Sequence, residues 1–129
     1  MLTTGTSSRV FLAAAPIDLR RGHDGLCAAV RATLGRDPYA GDLFVFFGRR
    51  AHGIKVLYWQ RGGFIVHYKR LEQGRFRLPR IEEGAREVVL DGTALTMLLD
   101  GIDLRYVRRP THWEPSRPSG DRNGPKKEK

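Results

Sequence analysis

Short apolar runs alternate with segments rich in glycine and proline along the chain, and this pattern predicts a small sheet. The runs at 9–14, 43–47, 54–59, 64–71 and 86–90 predict five strands. The second run, L-F-V-F-F, is apolar at every position. A strand of that kind is usually covered on both faces, so we expect it to lie in the centre of the sheet.

The two strands after this apolar run are joined by Q-R-G-G, which predicts a β-hairpin. Pairing of Trp59 with Phe64 would place Lys55 opposite Tyr68 on one face of the hairpin. Lys69 would then lie on the other face, because successive side chains of a strand alternate. The hairpin is therefore predicted to present cations on both of its faces.

Two segments have apolar residues at helical spacing, at 25–34 and 93–100. Asp24 is the expected N-cap of the first helix, and Asp91 or Thr93 that of the second. A glycine follows each segment as a stop signal. We expect two short helices packed on the sheet.

The chain of 129 residues, 40% of them apolar, has room for one domain, predicted at 8–107. The expected fold class is α+β, with a mainly antiparallel sheet built on a meander at about 43–71. Residues 1–7 are expected to form a flexible N-terminus. Residues 108–129 are rich in proline, charge and small polar residues, and predict a disordered basic tail.

Several features favour a cytoplasmic protein without a membrane partner. The longest apolar run, Leu43–Phe47, is far too short to cross a bilayer. The first residues, M-L-T-T-G-T-S-S-R, lack the pattern of a signal peptide. The single cysteine, Cys27, cannot form an intramolecular disulfide.

Charge is concentrated in one part of the chain. Of a formal net charge of +9, residues 49–80 carry +8, from nine Lys/Arg against the single acid Glu72. A field of this kind favours a polyanionic partner, and DNA is the expected one. The residues expected to contact phosphates are Arg49, Arg50, Lys55, Lys69, Arg70, Arg75 and Arg77.

Simpler interpretations exist for parts of this basic segment. The arginines at 49 and 50 could belong to a solvated loop, and Glu72 could pair with Arg70 or Arg75 at a strand end. Arg20 and Arg21 could extend the basic surface, although a local ion pair between Asp18 and Arg20 is the simpler account.

Five aromatic residues lie among these cations: Tyr58, Trp59, Phe64, Tyr68 and Phe76. Exposed aromatics between cations can stack on the bases of single strands. Aromatic residues on alternating strand positions more often belong to the core. If any of the five stacks on a base, we expect Trp59 or Phe76 to do so.

The chain has no recognisable catalytic or metal-binding pattern. His23 and Cys27 have the four-residue spacing of metal ligands, but two further ligands are lacking nearby. The acids fall mostly at predicted caps and turns, and no phosphate-binding G-x-x-x-x-G-K-[ST] loop is present. We therefore expect no metal, no cofactor and no enzymatic activity.

Longer motifs carry a specific resemblance over about residues 8–105. They include P-I-D-L-R-R-G at 16–22, I-K-V-L-Y-W at 54–59 and K-R-L-E-Q-G-R-F-R-L-P at 69–79. In this order they closely resemble the accessory proteins, often called TnpB, of the bacterial insertion-sequence family numbered sixty-six, which are unrelated to the RNA-guided nucleases of that name.

The resemblance implies a protein encoded beside a separate transposase and needed, in a supporting role, for the element to move. It implies no catalytic residue. Two hypotheses follow. The first is a non-catalytic factor for transposition that binds DNA through the basic hairpin surface. The second is an adaptor that binds the element's transposase without contacting DNA itself. The sequence leaves the DNA site and the oligomeric state open.

Overall fold

The apolar runs form strands of one five-stranded sheet in the computed structural model, which describes residues 8–100. An α-helix lies between the first and second strands and another follows the last. The elements are β1 (Val10–Ala13), α1 (His23–Ala29), β2 (Leu43–Phe47), β3 (Gly53–Gln60), β4 (Gly63–Arg70), β5 (Glu87–Leu90) and α2 (Gly92–Leu99). A π-helical turn at Val30–Leu34 extends α1, and a 3-10 turn lies at Pro38–Ala40.

The strand order is β4-β3-β2-β1-β5. Strand β1 runs parallel to β2, and all other neighbouring strands are antiparallel. The parallel pair arises because α1 carries the chain back along the sheet between the two strands. Strand β2 is central, and all five of its residues are buried. The predicted single α+β domain with a mainly antiparallel sheet is therefore confirmed.

The β3–β4 hairpin has the expected register, with Trp59 opposite Phe64 and Lys55 opposite Tyr68. Its two-residue turn is formed by Arg61 and Gly62, with φ angles of 50° and 84°. Two positive φ values are typical of a type I′ turn, which matches the twist of the strands. Glycine adopts this conformation freely, but the arginine is strained there.

The start of α1 differs from the prediction. Asp24 is not the N-cap; Gly22 takes that position, and its carbonyl accepts a hydrogen bond from the Leu26 amide at 2.9 Å. Asp24 lies in the first turn of α1 instead, where its negative charge interacts favourably with the positive end of the helix dipole. For α2 the cap is Asp91, whose carboxylate accepts a hydrogen bond from the Ala94 amide at 2.7 Å.

The sheet separates two apolar cores, one beneath each helix. Leu26 and Val30 of the first helical segment pack on one face against Phe44 and Leu57. We call this the α1 face and the opposite side the α2 face. On the α2 face, buried side chains of β1, β2, β3 and β5 form the second core together with Leu95 of α2, and the partly buried Ile65 of β4 packs against it. The two helices thus cover opposite sides of the sheet.

Some predictions fall outside residues 8–100, namely those for the N-terminus at 1–7 and the tail at 108–129, and the domain boundary at 107. Neither helix in the described range is long and apolar enough to cross a membrane.

Candidate nucleic-acid interface

Three segments far apart in sequence meet at one end of the sheet. They are the loop after β1, the turn between β2 and β3, and the chain that leaves β4, at residues 17–21, 48–53 and 70–77. We call them together the basic end. They carry two acids, Asp18 and Glu72, and seven arginines: Arg20, Arg21, Arg49, Arg50, Arg70, Arg75 and Arg77.

Backbone hydrogen bonds hold the three segments together. The Ile17 amide donates to the Phe47 carbonyl at 3.0 Å and joins the first segment to the end of β2. The Leu71 amide donates to the His52 backbone carbonyl at 2.8 Å, and the Phe76 amide donates to the Ala51 carbonyl at 2.5 Å. These bonds position the arginines on a backbone that is paired on both sides of the β2–β3 turn.

Two glycines let the loop after β1 approach that turn closely. A Cβ atom added at Gly48 would lie 3.1 Å from Cδ1 of Leu19, and a Cβ atom added at Gly53 would lie 3.0 Å from the same atom. Leu19 therefore packs over the base of the turn because both positions lack a side chain. The approach shapes an open groove of about 1070 Å³ between the loop and the turn.

This groove is lined by charged, polar and apolar side chains together. Its lining includes Asp18, Arg20, Arg49, Arg50, His52 and Tyr68. Both turn arginines are exposed, and within residues 8–100 neither has a carboxylate partner. Guanidinium groups in this state are free to form bidentate contacts with phosphate oxygens.

The arginines after β4 are exposed as well. In the described part of the chain, Glu72 forms no ion pair with Arg70 or Arg75, so the alternative of an ion-paired strand end is not found. Arg77 is exposed and follows the buried Phe76 directly. These residues extend the cationic surface from the turn along the chain that leaves β4.

The two lysines of the predicted site are placed differently. Lys55 donates to the Arg21 carbonyl at 2.8 Å, which ties β3 to the loop after β1 at the basic end. Lys69 lies on the α2 face, and its ammonium donates to the Leu99 carbonyl at 2.5 Å. A cation at that position stabilises the carboxyl end of α2. The structure therefore places Lys69 apart from the other six residues of the predicted site.

Arg20 is already paired. Its guanidinium donates to both oxygens of Asp18, at distances between 2.7 and 3.0 Å. This hydrogen bonding, with a further bond from the Arg20 amide, lowers the pKa of Asp18 to about 2. Asp18 is thus ionised at neutral pH and offsets the charge of Arg20. The local ion pair is confirmed, and Arg20 contributes less to the basic surface than Arg49 or Arg50.

The aromatic residues divide into three groups. Phe76 is only 2% exposed and belongs to the α2-face core, so its expected role in stacking is wrong. Trp59 packs edge-on against Phe64 and against Tyr39, a contact that strand alternation does not reveal. Tyr68, in contrast, is 54% exposed and lies beside the groove.

The His23–Cys27 spacing does not develop into a metal site. Among residues 8–100, no three His, Cys, Asp or Glu side chains lie close enough together to hold a metal ion. Cys27 is buried, and burial raises the pKa of its thiol. A protonated, buried thiol is a poor ligand.

The protein is therefore a small α+β domain whose cationic surface is concentrated at one end of the sheet. The chain belongs to the family described as IS66 Orf2 like protein, whose model matches residues 8–109. Membership of this family implies an accessory role in the transposition of an insertion sequence, and the family is not one of known enzymes.

Two relatives come from Sinorhizobium fredii (strain NBRC 101917 / NGR234), and both are described as uncharacterized proteins. The protein y4jC is 36% identical over 109 residues, which cover 84% of this chain and 92% of the relative. The protein y4hO is 36% identical over 117 residues, 91% of this chain and 98% of the relative. No solved structure matches the chain.

Proposed function

We propose that this protein is a non-catalytic accessory factor for transposition that binds DNA through the phosphate contacts of its basic end. The observation that carries the proposal is the convergence of three sequence segments into one exposed cationic surface. Lys55 supports the surface from β3, and Arg49, Arg50, Arg70, Arg75 and Arg77 present guanidinium groups from turns and loops.

Electrostatics supports a polyanionic partner. The three segments of the basic end contain seven arginines and two acids, and one of these acids, Asp18, is paired with Arg20. Such a surface attracts DNA without reading its sequence, since phosphate contacts position a protein but carry no base information. The proposal therefore predicts affinity that depends more on salt than on sequence.

The structural roles of four described acids support a non-catalytic protein. Asp37 and Asp91 are N-caps, Asp42 pairs with Arg9, and Glu87 pairs with Arg36. Phosphoryl transfer of the transposase type needs acids that converge on divalent metal ions. Carboxylates already used in caps and ion pairs are poorly suited to that task.

The salt dependence of binding tests the proposal. Fluorescence anisotropy with a labelled duplex should show a log–log slope near −0.9 per phosphate neutralised, hence about −4 to −5 for about five contacts. Replacing Arg49 and Arg50 together by alanine should reduce this slope by about two. Thermal unfolding should change little, because exposed loop arginines contribute little to stability.

A matched control removes the same charge elsewhere. Arg31 lies over Tyr39, and Arg61 lies in the β3–β4 turn, at the opposite end of the hairpin from Gly53. The double variant Arg31→Ala/Arg61→Gly should leave the slope almost unchanged. If both double variants alter binding equally, only net charge matters and the basic end is not a binding site.

The adaptor function is the second candidate, and one observation favours it. Tyr39, Trp59 and Phe64 form an aromatic triad with ring centroids 4.9 to 5.0 Å apart, and Tyr39 is 51% exposed. Tryptophan and tyrosine are enriched at the energetic centres of protein interfaces. Pulling down the element's transposase with and without nuclease treatment separates the candidates, because a direct adaptor retains the transposase after DNA is removed.

A further inference from the structure

Tyr68 differs from the other aromatic residues of the sheet. Phe11, Phe44 and Phe46 are almost fully buried, and Trp59 is half-buried in edge-on contact with Tyr39 and Phe64. Tyr68 is 54% exposed near the end of β4 and lines the groove that contains Arg49 and Arg50. Within the described range it is the exposed aromatic residue at the basic end.

The backbone and one cation fix the position of this ring. A Cβ atom added at Gly53 would lie 3.3 Å from Cε1 of Tyr68, so the ring approaches the backbone where that glycine leaves space. The Lys55 ammonium lies 5.2 Å from the ring centroid, in cation–π range. A tyrosine held in this way loses little further side-chain entropy when it binds a ligand.

The neighbours of Tyr68 supply charge on its own face of the hairpin. Lys55 is its partner in the adjacent strand, and Arg70 follows two positions later in β4. Arg49 and Arg50 line the same groove from the turn. An exposed aromatic ring inside a cationic groove is the arrangement by which proteins hold single strands, with bases stacked on the ring and phosphates on the cations.

Duplex DNA cannot use this arrangement fully, because its base faces are covered by neighbouring pairs. An unpaired base has a free face that can stack on tyrosine, and this preference is tolerant of sequence. We propose that Tyr68 is a stacking platform for an unpaired base, so that the basic end prefers single-stranded DNA over duplex. This inference rests on the proposed DNA-binding function and names its substrate class.

Competition between strand forms tests the inference. The probes are a fluorescent oligo-dT and a duplex of equal length, both titrated with the full chain at one salt concentration. The wild-type protein should bind oligo-dT several-fold more tightly than the duplex. Tyr68→Ala should weaken binding to oligo-dT by roughly fivefold to a hundredfold, the usual effect of removing a base-stacking ring. Its affinity for the duplex should stay within about twofold.

Tyr68→Phe is the matched control, since it keeps the ring and removes only the hydroxyl. This variant should retain nearly all of the single-strand affinity, whereas Tyr68→Leu, which is apolar but cannot stack, should behave like Tyr68→Ala. Thermal unfolding of each variant shows whether the fold is intact.

The outcomes separate this inference from the proposed function. Equal affinity for both strand forms, with no effect of Tyr68→Ala, overturns the stacking inference and leaves the phosphate-binding function standing. An equal loss of oligo-dT and duplex binding in Tyr68→Ala also overturns it. The ring would then support the binding surface without distinguishing unpaired from paired bases. Absence of binding to either probe overturns the inference and the proposed function together.

Discussion

Arginines at the basic end and arginines at the β5 edge of the sheet have different roles. At the β5 edge, Arg36 forms a bidentate pair with Glu87 and lies 3.7 Å over the ring of Phe11. Arg86 donates to the Thr33 carbonyl at 2.8 Å. At the basic end, Arg49 and Arg50 have no carboxylate partner within residues 8–100.

The difference shows that burial and partners, not residue type, decide what an arginine does. The side chains of Arg36 and Glu87 are 30% and 18% exposed, so their attraction is only partly screened by water. Their pair joins the chain after α1 to β5. The arginines at 49 and 50 are exposed at the edge of a groove, where they are available to a ligand.

The largest effect is expected at Phe76, which anchors the basic end to the core. Its side chain is 2% exposed, and Phe76→Ala should lower the free energy of unfolding by about 3–5 kcal/mol. Urea denaturation measures the loss. The exposed neighbour Arg75 serves as the control, since Arg75→Ala should change stability by less than about 0.5 kcal/mol. Similar values for the two variants would mean that residues 70–77 do not pack as described.

A smaller loss of folding stability is expected from Arg36→Ala at the β5 edge. It removes the bidentate bonds and leaves Glu87 largely buried without its cation, at a cost of about 2–3 kcal/mol. The duplex affinity should not change beyond about twofold. Arg70→Ala should give the opposite pattern, with weaker DNA binding and nearly unchanged unfolding. If Arg36→Ala weakens DNA binding as strongly as Arg70→Ala, the division between the two regions fails.

The same pair should make stability depend on pH. Hydrogen bonding to Arg36 lowers the pKa of Glu87 below its ordinary value of 4.5. A carboxyl group with a lowered folded-state pKa stabilises the protein above its unfolded pKa, and this contribution disappears as pH falls through the folded value. The melting temperature should therefore fall faster below pH 4.5 in the wild-type protein than in Glu87→Gln. Parallel curves would show that the pair adds no stability.

The smallest effect concerns Arg61, which forms no ion pair within residues 8–100 and lies away from the basic end. Its φ angle of 50° is unfavourable for any residue with a side chain, and Arg61→Gly should stabilise the protein by up to about 1 kcal/mol. Gly62, with a φ of 84°, is the matched control, and Gly62→Ala should destabilise by a similar amount. A loss of stability in Arg61→Gly would mean that the arginine side chain makes a compensating contact.

Local patterns were sufficient to predict the hairpin register and the central strand. With a two-residue turn, only one strand register keeps the apolar side chains of both strands on matching faces. This register places Trp59 opposite Phe64. The run of five apolar residues at Leu43–Phe47 could only be stable with both faces covered. Asp91 was one of the two residues predicted to cap the second helix, because a short acidic side chain before a helix satisfies free backbone amides.

The composition of the candidate site was also visible in the sequence, whereas its geometry was not. Nine cations within residues 49–80 identify a basic segment. Strand alternation placed Lys69 on the opposite face from Lys55, but nothing local shows that Lys69 meets the carboxyl end of α2. Phe76 is buried in the α2-face core, and its amide donates a hydrogen bond to the Ala51 carbonyl; both are contacts between segments that are separate in the sequence.

The sequence by itself therefore determined the secondary structure, the alternation of faces and the location of charge, because these follow from interactions between residues close along the chain. Only the tertiary structure decided that the loop after β1 meets the β2–β3 turn, and that Tyr68 is the exposed ring at the basic end. It also decided that Arg36 pairs with Glu87, whereas Arg49 has no carboxylate partner among the described residues. These outcomes depend on which distant segments pack together. Such packing is set by the shape and burial of the whole fold, which no local pattern encodes.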